Sequence, residues 1–148
     1  MRTLIIIFQL LFCGLLQAQI ANNTEVKDST NIYYQAFKVF CNKSDKRTTS
    51  YLVEKNDLTT DCLPSKINNK TISQIDVVQL TKLLKNEKSI ELVRIIPLRK
   101  KEKDFFVSIV VFNVSITKKQ INFSNLGGLS IVYVYNAEKD VFVFKEIR

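Results

Sequence analysis

From residue 90 onward this chain consists of four stretches rich in Val, Ile, Phe and Tyr, at 90–98, 105–116, 129–135 and 141–147. Polar connections at 99–104, 117–128 and 136–140 separate them. β-Branched and aromatic residues suit a pleated, half-buried surface. Connections this short favour antiparallel neighbours, because a parallel return needs a crossover of about a dozen residues or more. The second half of the chain is therefore expected to form a four-stranded meander. Gly127-Gly128 predicts a bulge or sharp bend on entry to the third strand, and the run from Ser124 to Gly128 reads as a turn.

The stretch 105–114 reads Phe-Phe-Val-Ser-Ile-Val-Val-Phe-Asn-Val and is apolar on both faces. Such a strand belongs in the middle of a sheet, covered on both sides. Two short helices leave part of the second face open for a pocket or a partner surface. Cover by the second helix and the 56–70 loop is the blander alternative, and the sequence favours it. Tyr34 and whichever of Phe105 and Phe106 points outward are the candidates to line a pocket.

Upstream, Ser29 or Thr30 can cap a helix running to about Lys43. Tyr33, Ala36, Phe37, Phe40 and Cys41 fall at i, i+3, i+4, i+7 and i+8 along it, one stripe facing a core. Residues 47–55 read as a strand and 56–70 as a long polar loop. Ser73 or Asp76 can start a second helix to about Asn86, with Val77, Leu80, Leu83 and Leu84 on one side. The order helix, strand, helix, meander predicts an α+β fold, its two helices packed on a mainly antiparallel sheet of about five strands.

Residues 1–18 have the layout of a secretory signal peptide: Arg2, then an apolar run, then small residues, with no acid before Glu25. An uncleaved anchor fits less well, since Gln17, Gln19, Asn22 and Asn23 dilute its far end. A lipoprotein acylated at Cys13 is disfavoured by bulky Phe12 and by Leu15 and Leu16, which would remain on the mature chain. The expected organisation is signal peptide 1–18, flexible lead-in 19–28 and one α+β domain at 29–148. The expected address is the periplasm or the exterior, with no transmembrane span after cleavage.

Cleavage removes one Arg and no acid, so the net charge of +8 falls to +7. The excess is mostly Lys scattered among acids, a solvated surface rather than an Arg-rich nucleic-acid reader, and nucleic acid is not an expected partner. Cys41 and Cys62 remain. An isolated pair in an exported domain reads as a disulfide, closing a loop of about 22 residues worth about 3 kcal/mol. Two buried thiols are the alternative. The chain has no His, which excludes His-based triads, zinc sites and haem ligation; no cofactor and no metal are expected.

Arg99, Lys100, Lys101 and Lys103 cluster at the first hairpin tip and could engage an anionic partner; a solvated, edge-protecting turn is the plainer reading. Asp57 and Asp61 could supply acid–base chemistry, but solvated loop residues are by far the plainer reading. Asn-x-Ser/Thr occurs at Asn22, Asn42, Asn69, Asn113 and Asn122, where a eukaryotic secreted protein would carry glycans.

The Leu16-Gln-Ala-Gln19 cleavage region, the stretches 51–64 and 122–128, and Ile95-Ile-Pro-Leu-Arg-Lys100 resemble small exported proteins of Bacteroidetes-type bacteria that have no assigned function. That resemblance implies a compartment and a domain, and no activity. The element order is also similar to cystatin-like and NTF2-like folds, an analogy that transfers no site. The expected function is a non-enzymatic binding or interaction module of the cell envelope. The alternatives are a small His-free hydrolase or ligand-processing enzyme with a pocket between helix and sheet, and a secreted eukaryotic glycoprotein.

Overall fold

A computed structural model describes residues 30–118 and 120–148. The expected signal peptide, 1–18, and the expected lead-in, 19–28, lie outside the described residues. The elements run α1 (Ile32–Lys43), β1 (Ser50–Glu54), β2 (Lys66–Ile67), β3 (Lys70–Ile75), α2 (Val77–Leu83), β4 (Ile90–Lys101), β5 (Asp104–Thr117), β6 (Gln120–Asn136) and β7 (Val141–Ile147). They build one seven-stranded sheet in the order β2-β3-β1-β4-β5-β6-β7. The fold is α+β, as expected.

The sheet itself is larger and more mixed than the sequence suggested. The β4–β7 meander is antiparallel throughout, but β1 pairs in parallel with β3 and, at Val53 and Val93, with β4. The expected loop 56–70 contains β2. The segment 70–75, expected to be loop and then helix, is a strand whose alternating burial matches its place in the sheet. Helix α2 starts at Asp76, one of the two expected caps: its side chain accepts from Gln79 N at 2.7 Å while Gln79 Oε1 accepts from Asp76 N at 3.0 Å. That reciprocal capping box satisfies two otherwise orphaned amides. The cap of α1 is Asn31 rather than Ser29 or Thr30, because its Oδ1 reaches both Tyr33 N (2.9 Å) and Tyr34 N (3.3 Å).

Three bulges bend the meander. In β4 one extra residue lies between Ile96 and Arg99, where Pro97 has no amide to give; the next amide, Leu98 N, donates to Tyr33 Oη at 3.3 Å and ties α1 to the sheet. In β6 the extra residue is Leu126, since Val111 faces Gly127 and Phe112 faces Asn125. The expected turn at 124–128 is thus a bulge inside a long strand. Gly127 holds φ +110° there, and a Cβ on Gly128 would come 2.1 Å from Ile109 O. Both positions demand glycine, one for its dihedral and one for close backbone approach. In β7 Lys145 bulges between Phe144 and Glu146.

Helix α1 covers one face of the sheet. Its Ala36, Phe37, Phe40 and Cys41 are buried against Val53, Val93, Ile95, Val107, Ile109, Ile131 and Tyr133. The expected stripe is therefore the core stripe, with Tyr33 packed at its margin and Tyr34 fully inside. Residues alternating with these strand positions face the other way. There α2 and its cap bring Leu80 and Leu84 onto Leu92, Val114 and Ile75, with Leu52, Ile90, Phe112 and Ile121 at the margin.

Candidate functional site

Among the described residues, the cover on the second face of the sheet lies at one end only. Alternation along β4, β5 and β6 places Arg94, Ile96, Phe106, Ser108, Val110, Phe112, Phe123, Ser130 and Val132 on it. Helix α2 spans two turns and packs at the Leu92–Val114 end. The 56–70 segment packs elsewhere: Leu63 and Ile67 belong to the α1-side core. Phe106, Ser108, Val110, Phe112 and Ile96 are consequently half-buried rather than enclosed. The 56–62 turn is tied down by its own hydrogen bonds, with Thr60 Oγ1 donating to Asn56 O at 2.9 Å and Gln74 Nε2 donating to Thr60 O at 2.8 Å.

Two charged clusters frame this open strip. Near α2, the Arg94 guanidinium lies 5.0 Å from the Phe112 ring and 4.9 Å from the Phe123 ring, while its Nη2 donates to Glu54 Oε1 at 3.0 Å. A planar cation held between two aromatic faces and a carboxylate is fixed in direction as well as charge. At the other end, Asp104 pairs with Lys145 at 2.7 Å and Arg148 at 3.1 Å, and Arg148 also pairs with Glu146. Those two cations hold the Asp104 carboxyl below its ordinary range, the Lys145 hydrogen bond contributing most. Asp104 is thereby kept ionised, the wrong state for a general acid at neutral pH. A shallow cavity of about 330 Å³ opens beside it, lined by Lys101, Glu102, Asp104, Phe106, Ser130, Val132 and Arg148.

The four basic residues of the expected anionic contact do not act as one loop. Arg99 pairs with Phe106 and Lys101 with Asp104, which puts both on the open face. Lys100 pairs with Phe105 on the α1 side and stands 5.6 Å from that ring. Lys103 sits in the turn beside Glu102, whose φ is +57°. Lys101 instead joins Lys145 and Arg148, more than forty residues away, a grouping that only the β5–β6–β7 register creates.

Of the expected pocket residues, Phe106 lines the cavity, Phe105 stacks edge-on against Phe142 at 5.1 Å on the α1 side, and Tyr34 is buried in the core. Asp57 and Asp61 are exposed. Cys41 and Cys62 stand as thiols in the α1-side core. Cys41 is buried and its pKa is pushed up to about 11 by desolvation, against a smaller opposing pull from Lys70. Cys62 Sγ lies 3.8 Å from Thr59 O. Lys70 is itself buried, its ammonium donating to Asp45 O at 2.9 Å and Thr48 O at 2.8 Å.

Among the described residues no group of three or more Cys, Asp or Glu side chains is placed to hold a metal ion, and no helix is long and apolar enough to cross a membrane. Asn42 accepts from Asn68 Nδ2 at 2.6 Å, Asn113 is half-buried within β5, and Asn122 is exposed. No family model, curated protein or solved structure matches this chain.

Proposed function

We propose that this chain is an exported, non-enzymatic binding module of the cell envelope, and that its open sheet face is the binding surface. One observation carries the reading: the central strand β5 buries Val107 and Ile109 completely on its α1 side, whereas on the other side Phe106, Ser108, Val110 and Phe112 are all half-buried and enclosure returns only at Val114, beneath α2. Exposed apolar patches rimmed by polar groups mark interaction sites. The rim here holds Arg94, Arg99, Lys101, Lys145 and Arg148 against Glu54, Glu102, Asp104 and Glu146. The occupant is a partner segment with apolar side chains beside carboxylates. Removal of residues 1–18 on export and oxidation of Cys41 with Cys62 belong to the same reading, since both follow from the address.

The test is capture of envelope proteins by the chain and by two charge-reversed variants. Arg99→Glu with Lys101→Glu, both on the open face, should abolish capture of an acidic partner. Lys100→Glu, one residue away and on the α1 side, should leave it unchanged. Equal loss in both variants, or no loss in either, rejects the open face as the binding surface.

A further inference from the structure

Strand β6 is seventeen residues long, but β7 covers only part of its outer edge. β7 pairs with Ile131 to Asn136, and Ser130 exchanges two backbone hydrogen bonds of 2.8 Å with Arg148. From Gln120 to Leu129 no strand among the described residues pairs with that edge. Ten residues exceed an ordinary strand of about five or six, and on either side of the bulge alternate amides and carbonyls turn outward, as antiparallel geometry requires; at the bulge, Gly127 N donates to Asn125 Oδ1 at 2.7 Å.

Edges of this length are normally blunted by Lys, Pro, inward-pointing charge or a bulge. This one has the bulge at Leu126 but no charge: β6 contains no Asp, Glu, Lys or Arg along its whole length, in a chain where those residues make up 24%. The bulge in the edge places a leucine at its apex, Leu126, 54% exposed, and Phe123 beside it is 41% exposed. Charges return only at the ends, Lys118 in the preceding turn and Arg148 beside Ser130.

We propose that the Gln120–Leu129 edge of β6 pairs antiparallel with the same edge of a second copy, about a two-fold axis. Charge decides the occupant. The chain carries 22 Lys and Arg against 14 Asp and Glu, so two copies repel across most of their surfaces. Within 120–129, antiparallel self-pairing sets no like charges opposite one another; at each end it brings the Lys118 turn of one copy towards Arg148 of the other, a guanidinium already paired with Asp104 and Glu146. It also joins identical patches, as a two-fold interface requires. An isologous contact of this kind is closed, and leaves the open sheet face free.

Sedimentation velocity and amide hydrogen exchange on the 148-residue protein test this. The expected result is a reversible dimer at concentrations up to ~100 μM, with amide protection along 120–129 that fades on dilution. Asn122 and Ser124 are both exposed: Ser124→Lys, beside the two-fold axis, should weaken the dimer by at least about tenfold through like-charge apposition, and Asn122→Lys, farther from the axis, by less. Ser89→Lys adds the same charge away from the edge and should leave it intact. Circular dichroism confirms that each variant is folded, and either edge variant alone suffices. A chain that stays monomeric throughout overturns the proposal. So does a dimer whose 120–129 amides exchange freely, one indifferent to both edge lysines, or a monomer whose edge amides are protected by its own N-terminal segment.

Discussion

Phe37→Ala probes the contact on which the whole architecture depends. Phe37 is fully buried, with its ring centroid 5.6 Å from Phe40 and 6.1 Å, edge-on, from Tyr51. Truncation of a buried Phe costs about 3–5 kcal/mol, the transfer term plus the cavity left behind. The neighbours cannot close that cavity. Ala36 and Cys41 are fixed on the same buried stripe, and Val107 and Ile109 belong to a strand hydrogen-bonded on both sides. A domain of this size holds about 5–15 kcal/mol in total, and 1 kcal/mol moves its melting temperature by about 4 °C. A fall of ~12–20 °C is therefore expected. Urea unfolding followed by circular dichroism should show a lower midpoint with an unchanged slope, because the surface exposed on unfolding is the same. Lys38→Ala, one residue along and solvent-exposed, should stay within about 0.5 kcal/mol of the parent. A Phe37→Ala loss under about 1 kcal/mol would refute the docking of α1 on the sheet.

Two further outcomes follow from the geometry. Gly128→Ala drives a methyl into Ile109 O, 2.1 Å away, so β5 and β6 must separate; a loss of about 1–3 kcal/mol is expected, and the amides of 107–111 should exchange faster. Unchanged exchange there would contradict the close approach. The second concerns alkaline stability. In the reduced protein, burial raises the Cys41 thiol from 9.0 to about 11 and Tyr133 from 10.0 to about 12. Each group binds its proton more tightly in the folded chain, so stability is full below the unfolded pKa values and declines as pH rises through the window from 9 to 12. Melting temperature should fall across that window. Cys41→Ser with Tyr133→Phe should flatten the decline, and a slope that both substitutions leave intact would exclude these groups as its source.

Local pattern made much of this fold legible. The α1 stripe, Asp76 as one of two candidate starts for α2 and the Val/Ile-rich runs of the meander each rest on residues within a turn or a strand of one another, where 3.6- and 2-residue periodicities apply. What was missed had long-range causes. Lys70-Thr-Ile-Ser-Gln-Ile75 is too short and too polar to read as a strand alone; it becomes one because β1 offers it a parallel partner from Ser50 to Glu54. The run 120–128 looks like a connection, with its Asn, Ser and Gly, yet β5 supplies a full ladder opposite it. The site followed the same division. That β5 is apolar on both faces is written in its side chains, and so is the basic cluster from Arg99 to Lys103. Which face stays open depends on where two turns of α2 come to rest.

The sequence by itself determined the α+β class, the helical core stripe, the antiparallel meander and the absence of histidine chemistry. Each is a property of composition or of spacing along the chain. The tertiary structure alone decided the mixed order of seven strands, the division of the Arg99–Lys103 cations between two faces, and the union of Lys101 with Lys145 and Arg148. It also decided that ten charge-free residues of β6 stand at an edge. Those outcomes depend on which strands become neighbours and in what register, and no periodicity along the chain encodes either.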